Sequence, residues 1–423
     1  MKKMVFMAAF VAATAAFVAC SSNDDLVQQK PDVPEEMVDE GVPMKIIVSD
    51  LATRGTDFSS TNPLTKFKLY SSLDSYWTAG KLMEYKNDAW TTNNSLTWDD
   101  EDEHTFFAIN VEEDDEFADI AENAGAGDDH PDLPVVTATT CSFNYKMPIS
   151  VKPKADPDDP DEYYYNSENL KDLLVAKSTG GAQYEPVYND PVNGETKYEA
   201  GSLFVNFQHA LAQITAIKVY ANTTKLIAKG INDYDKYRFR IDKIRLGGLK
   251  TIGTYTFDES TPWVVSGTAE EFEVPLDIPA DPGEAFTQMS FTPDPLNTKH
   301  SLPLTDGGLY IIPQAVTGKV KKDNGSYIID GAYAELDAQV FFYDSGDSGW
   351  FHCCEDNSPM DFTQSDSETA KFGKIRIPLI FDIESGSGKS YTLVLDLGQG
   401  IITEDPMFTG EAIFEGANFD VGG

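Results

Sequence analysis

Near the carboxyl end of this chain, Ile375, Ile377, Leu379, Phe381 and Ile383 fall on every second position, and Tyr391, Leu393, Leu395 and Leu397 repeat the pattern. A period of two lines one face of a β-strand. Leu203, Val205 and Phe207 do the same, as do Tyr237, Phe239 and Ile241. The apolar phase then moves to Ile244 and Leu246, a one-residue shift of the kind a β-bulge produces. Shorter runs lie at 44–48, where Met44, Ile46 and Val48 share a face, and at 67–70, 105–111 and 135–145. Pro, Asp and Gly collect between them, and the segment 384–389 reads as a hairpin connection. Helix-like spacing is confined to 112–123, 168–177 and 223–229. Many short strands and little helix predict an all-β fold of antiparallel sandwiches. A hydrophobic content of 41% with 12% aromatics supplies a core despite a formal net charge of −38.

The start of the chain has a different character. Lys2 and Lys3 precede about 15 apolar residues that close on Val18-Ala19-Cys20. That stretch is too short for a spanning helix. It resembles a bacterial lipoprotein signal, which implies cleavage before Cys20 and lipid on its sulfur. Ser21-Ser22-Asn23-Asp24-Asp25 resembles the acidic tag that sends some lipoproteins to the outer face of the outer membrane. Residues 1–19 are therefore read as a signal peptide and 20–43, rich in Asp, Glu, Pro and Gln, as a flexible tether. A Pro, Asp and Tyr-rich stretch at 153–198 divides the rest into domains of 44–200 and 201–423.

Strong acidity argues against nucleic acid and against electrostatic adhesion to anionic lipid, both of which need basic patches. Membrane contact should then come from the lipid anchor. Four cysteines are few for an exported chain of this length, so packing must hold the fold. With Cys20 taken by lipid, Cys141 has Cys353 and Cys354 as alternative partners. No nucleophile elbow, zinc-ligand spacing or phosphate loop occurs, and the five histidines are scattered, so neither an enzyme nor a cofactor is expected. Residues 352–356 (His-Cys-Cys-Glu-Asp) hold metal-ligand types in a row, but successive residues of an extended chain face opposite ways. The acidic run 156–162 lacks the ordered spacing of a calcium loop and reads as a solvated loop.

Several segments together resemble the fimbrillin family, surface lipoproteins that serve as pilus subunits. They are the strand beginning at Met44 and followed by Arg54, Phe106-Phe107-Ala108, Phe207-Gln208-His209-Ala210-Leu211 with a strand after it, and Tyr310-Ile311-Ile312-Pro313-Gln314. The resemblance implies two tandem transthyretin-like antiparallel β-sandwich domains. It also implies cutting between Arg54 and Gly55 by an extracellular protease and loss of a removable first strand carrying Met44, Ile46 and Val48. The vacated groove would take a strand from the next subunit, making a homo- or hetero-polymer of the cell-surface fimbrium. A ligand on host or bacterial surfaces is a further expected partner. His209 is structural in this reading. Arg54 also stands out by itself, as the first of five arginines and the only one before Arg238, flanked by Thr53 and by Gly55-Thr56-Asp57. The tail from Ala412 through Phe414 to Val421 is the candidate donor strand, and Pro313 should end or kink an edge strand.

A second reading is a stand-alone surface lipoprotein that binds carbohydrate. Tyr163, Tyr164 and Tyr165, with Trp77, Trp90, Trp98 and Trp350, would offer stacking faces.

Overall fold

The computed structural model describes residues 42–48, 64–73, 75–87, 89–92, 96–98, 102–110, 134–147, 149–151, 163–165, 172–184, 188–189, 196–197, 200–222, 237–279, 289–294, 296, 298–305, 308–323, 326–344, 349–352, 373–397, 401–402 and 419–421. Their regular structure is almost entirely strand, with one single-turn helix at Ser75–Thr78. The fold class is all-β, as the alternation predicts. Among the described residues no helix is long and apolar enough to cross a membrane.

The largest sheet is built on the long strand Tyr237–Thr256. It pairs antiparallel with Tyr333–Asp344 on one side, and with Trp263–Glu273 on the other. The expected phase shift is present as a register break between Ile241 and Lys243, which lets Phe239, Ile241, Ile244 and Leu246 all enter the core. A further break follows Gly247. There Gly248 has φ +76°, and a Cβ on it would lie 2.5 Å from the Gly331 carbonyl oxygen, so only glycine fits.

A second sheet runs in the order Gln208–His209, Leu174–Gly180, His104–Ile109, Lys66–Ser71, Lys81–Lys86, Ala89–Thr91. Its central strands are buried on both faces. Phe67, Leu69, Phe106, Ala108, Leu174 and Ala176 enter one apolar cluster, while Tyr70, Phe107, Ile109 and Val175 enter a larger one. In the larger cluster Phe107 meets Phe257 at 5.0 Å between ring centroids. A third sheet pairs Ala212–Tyr220 in parallel with Ser390–Asp396, whose other neighbour is Phe419–Val421.

Three sequence expectations are corrected. Part of the helix expected at 168–177 is strand, Leu174–Gly180; a strand covered on both faces loses its alternation, and the apolar run Leu173 to Ala176 then imitates a buried helix. The run 135–145 is two strands, Val135–Val136 and Cys141–Lys146, folded at a turn where the Thr140 N–H donates to Thr137 Oγ1 at 3.0 Å. Segment 384–389 does turn, with Gly386 N–H donating to the Ile383 carbonyl at 2.7 Å, but it joins different sheets. Ile380–Asp382 pairs with Ala315–Thr317, and Ser390–Asp396 pairs elsewhere. The stretches 112–123 and 223–229 lie outside the described residues. Pro313 does follow the end of a strand, Leu309–Ile311.

Strand pairing crosses position 200 in both directions. Cys141–Lys146 pairs with Tyr237–Thr256, while Ser202–Val205 pairs with Lys45–Val48. Among the described residues Cys141 is a free, buried thiol, and burial pushes its pKa up to about 12. Cys353 and Cys354 lie outside the described residues.

Candidate functional site

The first strand, Lys45–Val48, runs parallel to Ser202–Val205, with Ile46 opposite Leu203 and Val48 opposite Val205. Alternation turns Met44, Ile46 and Val48 to one side, and all three reach the smaller apolar cluster. Ile46 is 8% exposed, the other two half-buried. Full burial of such a side chain contributes about 1.5–3 kcal/mol. Met44, Ile46 and Val48 thus pack together on the cluster that holds Phe67, Phe106, Leu203 and Val205.

Backbone bonds hold this strand at its amino-terminal end. Val42–Pro43 pairs antiparallel with Thr97–Trp98, and Met44 N–H donates to the Leu96 carbonyl at 2.9 Å. The Gly201 carbonyl accepts from Lys45 N–H at 3.3 Å and from Trp98 Nε1–H at 2.8 Å. Gly201 has φ +75°, and a Cβ there would come within 3.3 Å of Val42. It is a left-handed corner that brings one carbonyl to both donors. Neither Gly201 nor the role of Trp98 carries a sequence signal, because both depend on contacts more than 100 residues apart, as the Trp98 bond shows.

Cys20, Arg54 and Gly55 lie outside the described residues, as do Ala412 and Phe414. The described part of the tail, Phe419–Val421, pairs with its own chain, placing Val421 opposite Tyr391 and Phe419 opposite Leu393.

His209 sits on the two-residue edge strand Gln208–His209, and its Nδ1 meets the Asp172 carboxylate. Burial raises the Asp172 pKa above the ordinary carboxylate range, against the opposing pull of His209 and the Leu173 N–H. Asn110 completes the corner, with its amide donating to the Asp172 carbonyl at 2.7 Å and accepting from Leu174 N–H at 2.8 Å. This arrangement ties the edge strand to its neighbour, consistent with a structural histidine. Trp77 and Trp98 are buried, each edge-on to Phe106, at 5.2 and 5.7 Å. Trp90 is half-buried against Phe67 and Tyr85. Of the tryptophans read as stacking faces, two are thus core residues. Tyr163–Tyr165 forms a strand, and Trp350 lies in Gly349–His352. Among the described residues no group of three or more His, Cys, Asp or Glu could hold a metal ion.

The molecule defines itself as an all-β protein whose first strand seals an apolar cluster beside a doubly covered sheet. No family model matches the chain, and no curated protein matches it. Among solved structures it is similar to a fimbrial protein from Bacteroides vulgatus, at 13% identity and a TM-score of 0.40, over 90% of this chain and 99% of that one. It is also similar to a candidate cell adhesion protein from Parabacteroides distasonis, at 10% identity and a TM-score of 0.33, over 89% of this chain and 96% of that one. A fimbrial protein from Bacteroides ovatus aligns at 10% identity and a TM-score of 0.21, over 85% of this chain and 49% of that one.

Proposed function

We propose that this chain is a structural and adhesive subunit of a cell-surface pilus. It would be exported as a lipoprotein anchored through Cys20, cut between Arg54 and Gly55, and polymerised by strand exchange. The observation that carries the proposal is the packing of Ile46 and Val48, from the four-residue strand Lys45–Val48, and of Met44 just before it on one apolar cluster, with the strand ending six positions before Arg54. Loss of that strand would leave the Ser202–Val205 edge without this partner and expose the cluster beneath it. An incoming strand restores both backbone pairing and apolar burial, which is β-augmentation repeated along a filament. The tail from Ala412 is the proposed donor, and its in-chain pairing at Phe419–Val421 is short enough to exchange. Two transthyretin-like sandwiches that exchange strands across position 200 belong to the same proposal.

The test uses cells that make the full chain. Cys20→Ala should abolish incorporation of labelled fatty acid. Arg54→Ala should leave lipid labelling intact while removing the cut product, detected by mass spectrometry, and the high-mass ladder on gels. Lipid labelling that persists in the Cys20 variant would overturn the anchor. A high-mass ladder that persists in the Arg54 variant would overturn processing as the trigger.

A further inference from the structure

The hairpin of Lys81–Lys86 and Ala89–Thr91 ends the six-stranded sheet on the side away from Gln208–His209. Its two strands set Tyr85 directly opposite Trp90. Met83, two residues before Tyr85, is fully buried in the smaller apolar cluster, so alternation turns Tyr85 toward that same face. Tyr85 is nevertheless 47% exposed, which places its ring at the margin of the cluster. Among the described side chains it is the one aromatic that is exposed. Trp90 links the interior to this margin. Its ring meets Phe67 of the core at 4.8 Å between centroids and Tyr85 at 5.3 Å, with the Tyr85 plane inclined by 52°. The core contact fixes one ring, and the cross-strand contact sets the second against it. Two aromatic faces are held at an angle before any ligand arrives, which lowers the ordering cost of binding.

The hairpin itself brings no charge to this face. Glu84 and Lys86 alternate to the other side of their strand, where they pair with each other. Asn87, exposed in the turn at φ 51°, supplies an amide that both donates and accepts. The chain as a whole, at a formal charge of −38, repels an acidic ligand.

We propose that Tyr85 and Trp90 form a platform for a neutral oligosaccharide. The C–H face of a sugar ring lies on the exposed aromatic surface, and its hydroxyls reach water and the Asn87 amide. The inference names a ligand class for the adhesive part of the function proposed above and rests on that part. Trp90 also packs on the cluster that Met44, Ile46 and Val48 join, so the platform belongs to the uncut chain and binding is measured there.

Tryptophan emission of the uncut full chain, titrated with defined probes, tests it independently of the lipid and ladder readouts above. The neutral probes are xylohexaose, maltohexaose and the hexamer of N-acetylglucosamine; the controls are hexagalacturonate and an alternating Val-Thr heptapeptide. At least one neutral probe should shift the emission in a saturable way, and neither control should. Tyr85→Ala should weaken that binding at least tenfold, and Tyr85→Phe should retain it, with unchanged melting curves excluding unfolding as the cause. Trp90→Phe should remove most of the emission change. No saturable shift with any neutral probe, an unaltered titration in Tyr85→Ala, or an equal response to either control would overturn the proposal.

Discussion

Glu335 is 2% exposed, yet it carries two arginines: Arg245 Nη1 donates to its Oε1 at 3.0 Å and Arg376 Nε to its Oε2 at 2.6 Å. Arg245 also reaches Asp337 at 3.3 Å. These groups sit on neighbouring strands in register, Arg245 opposite Glu335 and Glu335 opposite Arg376, so the carboxylate binds three strands together. Removing it takes this carboxylate from both guanidinium groups, with Arg245 keeping Asp337 and Glu273, and breaking a buried pair of this kind costs about 3–5 kcal/mol. Glu335→Ala should lower stability toward the lower end of that range, since Arg376 is partly exposed; the midpoint of urea unfolding measures it. Asp172 gives a pH prediction. Its carboxyl is raised in the folded state, so between the unfolded and folded pKa values the native chain holds more protons than the unfolded one. Stability linked to this group is then full below the unfolded value, about 3.9, and falls as pH rises through the folded one. Asp172→Asn should flatten that decline, read from urea midpoints measured from pH 3.5 upward. An unchanged slope would remove Asp172 from the pH response.

The first strand is the element whose role depends most on how it is held. Ile46→Ala should cost about 2 kcal/mol, low for an isoleucine truncation because the strand can settle inward. Trp98→Phe removes the bond to the Gly201 carbonyl and part of a buried ring packed on Phe106, and should cost about 2–3 kcal/mol. Both are checked by denaturant midpoints of the uncut chain. Much of this element was legible in the sequence, because a strand with one buried face must show its period, and Met44, Ile46 and Val48 do. The shift from Ile241 to Ile244 was legible for the same reason, as a bulge leaves a phase change behind. Leu174–Gly180 was not, because burial on both faces erases the alternation that separates strand from helix. The segment 384–389 shows a third limit. Turn residues mark where the chain bends but carry no information about which sheet the next strand joins, so a hairpin and a crossover look alike. Gly201, Trp98 and Asp172 were illegible because each acts through a partner distant in sequence.

At the scale of the whole molecule, the pairings across position 200 bear on how the chain folds. Residues 141–146 complete a sheet built from the later half, and 202–205 close a cluster built from the earlier half. Expressed separately, 44–200 and 201–423 should each lack a sharp unfolding transition, and mixing them should restore one. Cooperative melting of either piece alone would instead support a division at that point. The central claim, that the first strand is a removable seal whose loss licenses assembly, is tested most directly by native mass spectrometry of the purified chain before and after limited trypsin digestion. The account predicts one species before digestion, then loss of the fragment ending at Arg54 together with a series of multiples of the trimmed chain. A trimmed chain that has lost this fragment and stays monomeric at high concentration would contradict it.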